Sequence, residues 1–307
     1  MDKKYYIYYP FLNHSESKKN WASGFINYMN AIYDILKECK LNIQKTDNLK
    51  HINCDDICLV WGPFIPECNR KLNCNNIILF NSESLVHGKM TGLKYKINKP
   101  KIKMWVDYQH SNINYLKKNS SESSNVSFEM VPFIWHPINN NLIPQQNLNN
   151  IEKDIDILFY GALNDRRNKM ISMIKHKGCI NYCYNNNLVE KELVSYILRS
   201  KIVLVVFYYP NNRCIDFYRI APIVYLKTHI VHEDISDLER EGWIESGQED
   251  IFKYITFCKY DDIVDKCCEL LKDPEKLIEL GELCYEHKKK NYSLSKMFPI
   301  NKLKKIG

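Results

Sequence analysis

The chain lacks any run approaching the eighteen or so apolar residues that a membrane-spanning helix requires, so no membrane span is expected. Its first residues, Met1–Asp2–Lys3–Lys4–Tyr5–Tyr6–Ile7, hold no apolar core of a secretory leader. A cytoplasmic protein is therefore expected (in the host cytoplasm, were the source viral). Neither G-x-G-x-x-G nor a P-loop pattern is present, which argues against a Rossmann dehydrogenase and a P-loop ATPase. The 12 cysteines fall into no disulfide-like framework, and a chain of this size does not depend on one. They read as reduced, mostly buried thiols. The one grouping of metal-ligand types, His51, Cys54, Cys58, Cys68 and Cys74, has no paired C-x-x-C knuckles, and no metal is expected.

What is present describes a soluble globular protein. With 307 residues, 45% of them hydrophobic and 26% charged, the chain is long enough for two ordinary domains. The formal net charge of +7 favours anionic ligands. It is modest for this length, so nucleic acid is not an expected partner.

The most informative stretch runs from Ile155 to His232. The apolar run Ile155–Asp156–Ile157–Leu158–Phe159–Tyr160 reads as a strand and turns at Gly161. Asn164 then suits a helix cap, and Met170, Ile171, Met173 and Ile174 follow at helical spacing. A strand, a glycine turn and a helix start direct free backbone N–H groups at one spot, which suits a phosphate. Arg166 and Arg167 lie in the first helical turn, where the dipole prefers acids, and a bound anion would resolve that conflict. Arginine grips a diphosphate bidentately, as lysine cannot. A second apolar strand, Lys201–Phe207, ends in the loop Tyr208–Arg213. There follow Asp216–Phe217–Tyr218–Arg219–Ile220–Ala221–Pro222 and a third strand, His229–His232.

Phe159–Tyr160–Gly161, Arg166–Arg167, Asp216 and Arg219–Ile220–Ala221–Pro222 resemble, in that order, the carboxyl-terminal half of GT-B glycosyltransferases. The resemblance is closest to the "group 1"-type family of bacteria and large DNA viruses. It implies an α/β fold of two Rossmann-like domains, their parallel sheets facing across a cleft. It also implies a metal-independent glycosyltransferase that uses no cofactor. Such an enzyme moves a sugar from a nucleoside-diphosphate sugar to a hydroxyl of a glycan or other acceptor. The implied donor-binding residues are Gly161, Asn164, Arg166, Arg167, Tyr208, Asp216 and Arg219, with Asp216 at sugar or ribose hydroxyls and Arg219 at phosphate. Aspartate stands at 216 where the family more often has glutamate, and Val224 occupies the second place of the family's acid-x7-acid pattern.

The resemblance places a catalytic base in the first domain. His14 and Glu16, in the loop after the first strand, are candidates to take the acceptor's proton, as are Glu83, Asp107 and His110 at later strand ends. Asn81–Ser82–Glu83 and Trp105–Val106–Asp107–Tyr108 resemble the family's asparagine-threonine-glutamate and tryptophan-aspartate-tyrosine segments. Asp154–Ile155–Asp156 matches the D-x-D metal motif of the other large glycosyltransferase fold but opens a strand, and reads as coincidence. Two alternatives remain open: an epimerase acting on nucleotide sugars, and an inactive GT-B-like virion or scaffold protein.

Strands at Tyr5–Tyr9, Ile57–Trp61, Ile77–Phe80, Lys103–Val106 and Phe128–Pro132 alternate with helix-length segments, which predicts parallel pairing with right-handed crossovers. Residues 1–138 are expected to form the acceptor domain and 139–152, rich in asparagine and glutamine, a linker. Residues 153–285 are expected to form the nucleotide-sugar domain. The resemblance alone implies that 286–307 return to the first domain.

Overall fold

The computed structural model describes residues 3–9, 23–62, 73–82, 85, 101–119, 126–136, 151–177, 182–185, 190–211 and 213–306. These divide into two compact units, one of residues 1–133 with 294–307 and the other of 134–293. The division falls just before the stretch 139–152, of which 139–150 lie outside the described residues.

The first unit holds a six-stranded sheet of β1 (Tyr5–Tyr8), β2 (Ile43–Thr46), β3 (Ile57–Trp61), β4 (Asn76–Phe80), β5 (Ile102–Asp107) and β6 (Ser127–Met130). Their order is β2-β1-β3-β4-β5-β6, and every pairing is parallel. Strands β3 and β4 are buried at every position, which is why their sequences show no alternation. Helices α1 (Ser23–Glu38) and α2 (His110–Asn119) belong to this unit. The edge strand β2, Ile43–Gln44–Lys45–Thr46, buries only its first residue, so nothing in its pattern marked it as a strand. Phe298 stacks on Phe80, and Lys302 pairs with Glu129 at 2.8 Å, fastening the last residues to this sheet.

The second unit has a five-stranded sheet of β7 (Ile155–Tyr160), β8 (Tyr182–Asn185), β9 (Ser200–Val205), β10 (His229–Glu233) and β11 (Thr256–Cys258). Its order is β11-β10-β9-β7-β8, again parallel throughout. The helices here are α3 (Asp165–His176), α4 (Glu190–Arg199), α5 (Phe217–Tyr225), α6 (Asp237–Glu245), α7 (Ile263–Leu270) and α8 (Pro274–Asn291). The chain reverses direction across the sheet between β7 and β9. In open parallel sheets a crevice opens at such a switch, outside the carboxyl ends of the strands. On the sheet, Ile157, Phe159, Leu204 and Val231 pack with Met170 and Ile174 of α3 and with Val264 and Cys267 of α7. Gly281 allows α8 to press on the turn before β10: a Cβ there would lie 2.1 Å from the carbonyl oxygen of Lys227.

Candidate functional site

The site is built where the sheet order reverses, from the ends of β7 and β9 and the starts of α3 and α5. Gly161 follows β7 with φ at +124°, a conformation side chains other than glycine's rarely adopt. Its open face is covered by two guanidinium groups. A Cβ at Gly161 would stand 3.0 Å from Arg219 Nη2 and 3.6 Å from Arg167 Nη1. Two cations thus converge on one point above a bare backbone.

Each arginine has a different hold. Arg167 is buried and donates Nε and Nη2 to the Val206 carbonyl, at 3.1 and 2.6 Å, and Nη1 to Ala162 O at 2.7 Å. Among the described residues no carboxylate pairs with it. Burial, and then the charge of Arg219, bring its pKa down to about 10, so it stays charged at neutral pH. Arg219 makes a long 3.8 Å contact from Nε to Asp216 Oδ2. Its Nη1 and Nη2 donate to nothing among the described residues, while its carbonyl accepts from Tyr160 Oη at 2.9 Å. Burial pushes the Tyr160 hydroxyl upward, so it remains a neutral donor. Neighbouring like charges with unfilled donors are an arrangement that a bound anion would neutralise.

The supporting residues follow from capping chemistry. Asn164 caps α3, its Oδ1 accepting from Arg167 N at 3.0 Å, and it donates Nδ2 to Tyr208 O at 2.6 Å. Asp216 caps α5, accepting from Arg219 N at 3.2 Å. The Tyr208 ring lies 5.2 Å from the Arg167 guanidinium and 4.8 Å, edge-on, from the Tyr209 ring.

Arg166 is held differently from Arg167 and Arg219. Its guanidinium forms a two-pronged pair with Glu233 at the end of β10, and Nη1 also donates to Phe207 O at 3.0 Å. Glu233 in turn accepts from Phe207 N at 3.0 Å, and Tyr260 covers Arg166 with its ring centroid 3.9 Å away. The charge of Arg166 is thus paired within the fold. Glu233 was not singled out in the sequence, because an acid 67 residues distant leaves no spacing signal. The Glu233 side chain is only 4% exposed, so Arg166→Met strands a buried carboxylate. We expect a loss of about 3 kcal/mol in urea unfolding, partly recovered by adding Glu233→Gln.

Of the base candidates, His14, Glu16 and Glu83 lie outside the described residues. Asp107, at the end of β5, is fully buried. One carboxylate oxygen accepts from Tyr108 N at 2.8 Å and Gln109 N at 3.0 Å, the other from Asn81 Nδ2 at 2.8 Å and Trp105 Nε1 at 3.0 Å. Asn112 Nδ2 reaches both oxygens at 3.2 Å. Tyr108 Oη donates to Ser82 O at 3.2 Å, so the two segments that resemble family motifs are tied together at adjacent strand ends. Burial raises the Asp107 carboxyl to about 6 against the pull of these donors. With both oxygens occupied and no exposed surface, it has no access to an incoming hydroxyl and acts as an anchor. His110 is held neutral, its pKa taken to about 4 by burial.

No family model matches the chain. Two uncharacterized proteins of Acanthamoeba polyphaga mimivirus are similar to it. One is 24% identical over 203 residues, 62% of this chain and 21% of that protein. The other is 27% identical over 161 residues, 52% of this chain and 53% of that protein. The chain thus spans about a fifth and about half of these relatives. Among solved structures, a complex of an S. aureus TarM mutant with fondaparinux, alpha-GlcNAc-glycerol and UDP matches at TM-score 0.53 and 13% identity. It covers 82% of this chain and 55% of the other. The DNA-modifying enzyme beta-glucosyltransferase, solved with and without uridine diphosphoglucose, matches at TM-score 0.58 and 10% identity over 98% of each chain. Both neighbours are GT-B glycosyltransferases. This chain has their fold: α/β, with two parallel sheets. None of its described helices is long and apolar enough to cross a membrane.

Proposed function

We propose that the protein is a glycosyltransferase that moves a sugar from a nucleoside-diphosphate sugar to an acceptor hydroxyl. The observation that carries this reading is the convergence of Arg167 and Arg219 over Gly161 at the strand-order switch. The donor's diphosphate sits there, and the departing diphosphate is stabilised by charges already in place, which is the main catalytic contribution expected of such a site. Tyr208 stands beside Arg167 to meet base or sugar, and Asp216, with a side chain 40% exposed, accepts from sugar or ribose hydroxyls. UDP is the first nucleotide to test, because both solved neighbours were studied with uridine diphosphate compounds. No resident cofactor enters this scheme, and the base is sought among His14, Glu16 and Glu83. The acceptor is a glycan or another hydroxyl compound.

The test is incubation with UDP-sugars and a panel of glycan acceptors. UDP release matched by glycosylated acceptor supports transfer. A changed nucleotide sugar formed without acceptor would mean epimerisation. One observation favours an inactive binding protein as second reading: Asp107, a base candidate at the end of β5, is sealed from solvent. UDP binding without turnover of any UDP-sugar would select it.

A further inference from the structure

At the opposite end of the second sheet, where β7, β9 and β10 begin, lies a cavity of about 380 Å³. Its apolar lining includes Leu198, Leu226, Leu277 and Ile278. Three lysines reach it, and two are already matched. Lys201 pairs with Asp156 at 2.6 Å, and Lys227 with Glu282 at 2.7 Å. Lys153 is different. Its ammonium donates to the carbonyls of Ser200 at 2.7 Å and Leu198 at 3.2 Å and has no carboxylate partner among the described residues. An ammonium has three donors, so one remains. Burial lowers its pKa to about 8, a sign that the uncompensated charge is costly.

His229 gives an independent indication. It lines the same cavity, is 2% exposed, and shares Nε2 with Thr256 Oγ1 at 2.9 Å. Its Nδ1 is buried without a partner. Buried polar nitrogens are nearly always satisfied, so an unfilled one on a residue that shares a cavity lining with an unmatched ammonium points to a missing acceptor. In the tautomer in which Thr256 Oγ1 donates to Nε2, Nδ1–H is the free donor.

We propose that this cavity is a second ligand site, separate from the arginine pair, and that it takes a small amphipathic carboxylate. The carboxylate meets Lys153 and His229, and its hydrocarbon body lies on Leu198, Leu226, Leu277 and Ile278. A single negative charge fits better than a phosphate dianion, because only Lys153 lacks a counter-charge. The site stands a strand's length, roughly 20 Å, from the arginines.

The test uses the whole chain with octanoate as probe and 1-octanol and octylammonium as controls. Unfolding temperature and acetylation of Lys153 by limiting acetic anhydride, read by peptide mass spectrometry, are followed together. Octanoate is expected to raise the unfolding temperature and to slow Lys153 acetylation at least about tenfold, with neither control doing so. Lys153→Met is expected to abolish the shift. Should that variant not fold, Ile278→Trp, at a half-exposed position of the lining, blocks the cavity and is expected to do the same. Unchanged acetylation with octanoate, or equal protection by 1-octanol, overturns the proposal.

Discussion

Arg219→Ala is expected to weaken UDP binding at least about tenfold, equivalent to ~1.4 kcal/mol, with the unfolding temperature of the free protein shifted by no more than about 2 °C. The two halves of this expectation have separate causes. Arg219 contacts Asp216 only at 3.8 Å, and the Asp216 side chain is 40% exposed, so truncation strands no buried charge. Its outer nitrogens have no acceptor among the described residues, so what they lose is the ligand. Arg167→Ala is a poorer test, because three hydrogen bonds to Val206 and Ala162 would go with it and the β9 end would loosen. Calorimetric titration of UDP into wild type and Arg219→Ala measures the difference directly. Equal affinities would remove Arg219 from the site.

Asp107→Ala is expected to cost on the order of 4 kcal/mol, because Asn81, Trp105 and the Tyr108 and Gln109 amides would be left as buried donors without an acceptor. Asp107→Asn should cost less, since one oxygen survives. The sign with pH is the reverse of the usual carboxylate case. The folded value of about 6 lies above the ordinary 3.8, so the folded state binds the extra proton. This group's share of stability is full below about pH 4 and is lost as pH rises through about 6. Urea unfolding of wild type and Asp107→Asn across that range should show the gap between them change by about 3 kcal/mol. A variant that folded as well as the parent but lost turnover would make Asp107 the base instead of an anchor.

Much of the architecture was legible because buried parallel strands announce themselves. Runs such as Ile157–Leu158–Phe159 and Ile202–Val203–Leu204 are apolar without alternation, and Gly161 and Asn164 punctuate the step into α3. Edge strand β2 was invisible because its polar face hid the periodicity, and α6 lay in a stretch the element reading left unassigned. At the site, residue types and order pointed to Gly161, Arg167 and Arg219, which the fold brings together. What order along the chain does not encode is which arginine is spent on structure. Arg166 and Arg167 are adjacent, yet helical geometry turns one towards Glu233 and the other towards Gly161. The same gap separated Asp107 as a base candidate from Asp107 as the hub of a closed network, because burial is a tertiary property.

The central claim is that the paired arginines hold a nucleoside diphosphate. Its most direct test is the thermal shift of the purified wild-type protein against a panel of nucleoside diphosphates and nucleoside-diphosphate sugars. A ligand that binds only the folded state at a hundred times its Kd stabilises it by about 2.7 kcal/mol. We expect one nucleotide series to raise the unfolding temperature, with the bare diphosphate contributing most of the rise. No shift with any member of the panel would contradict the donor site.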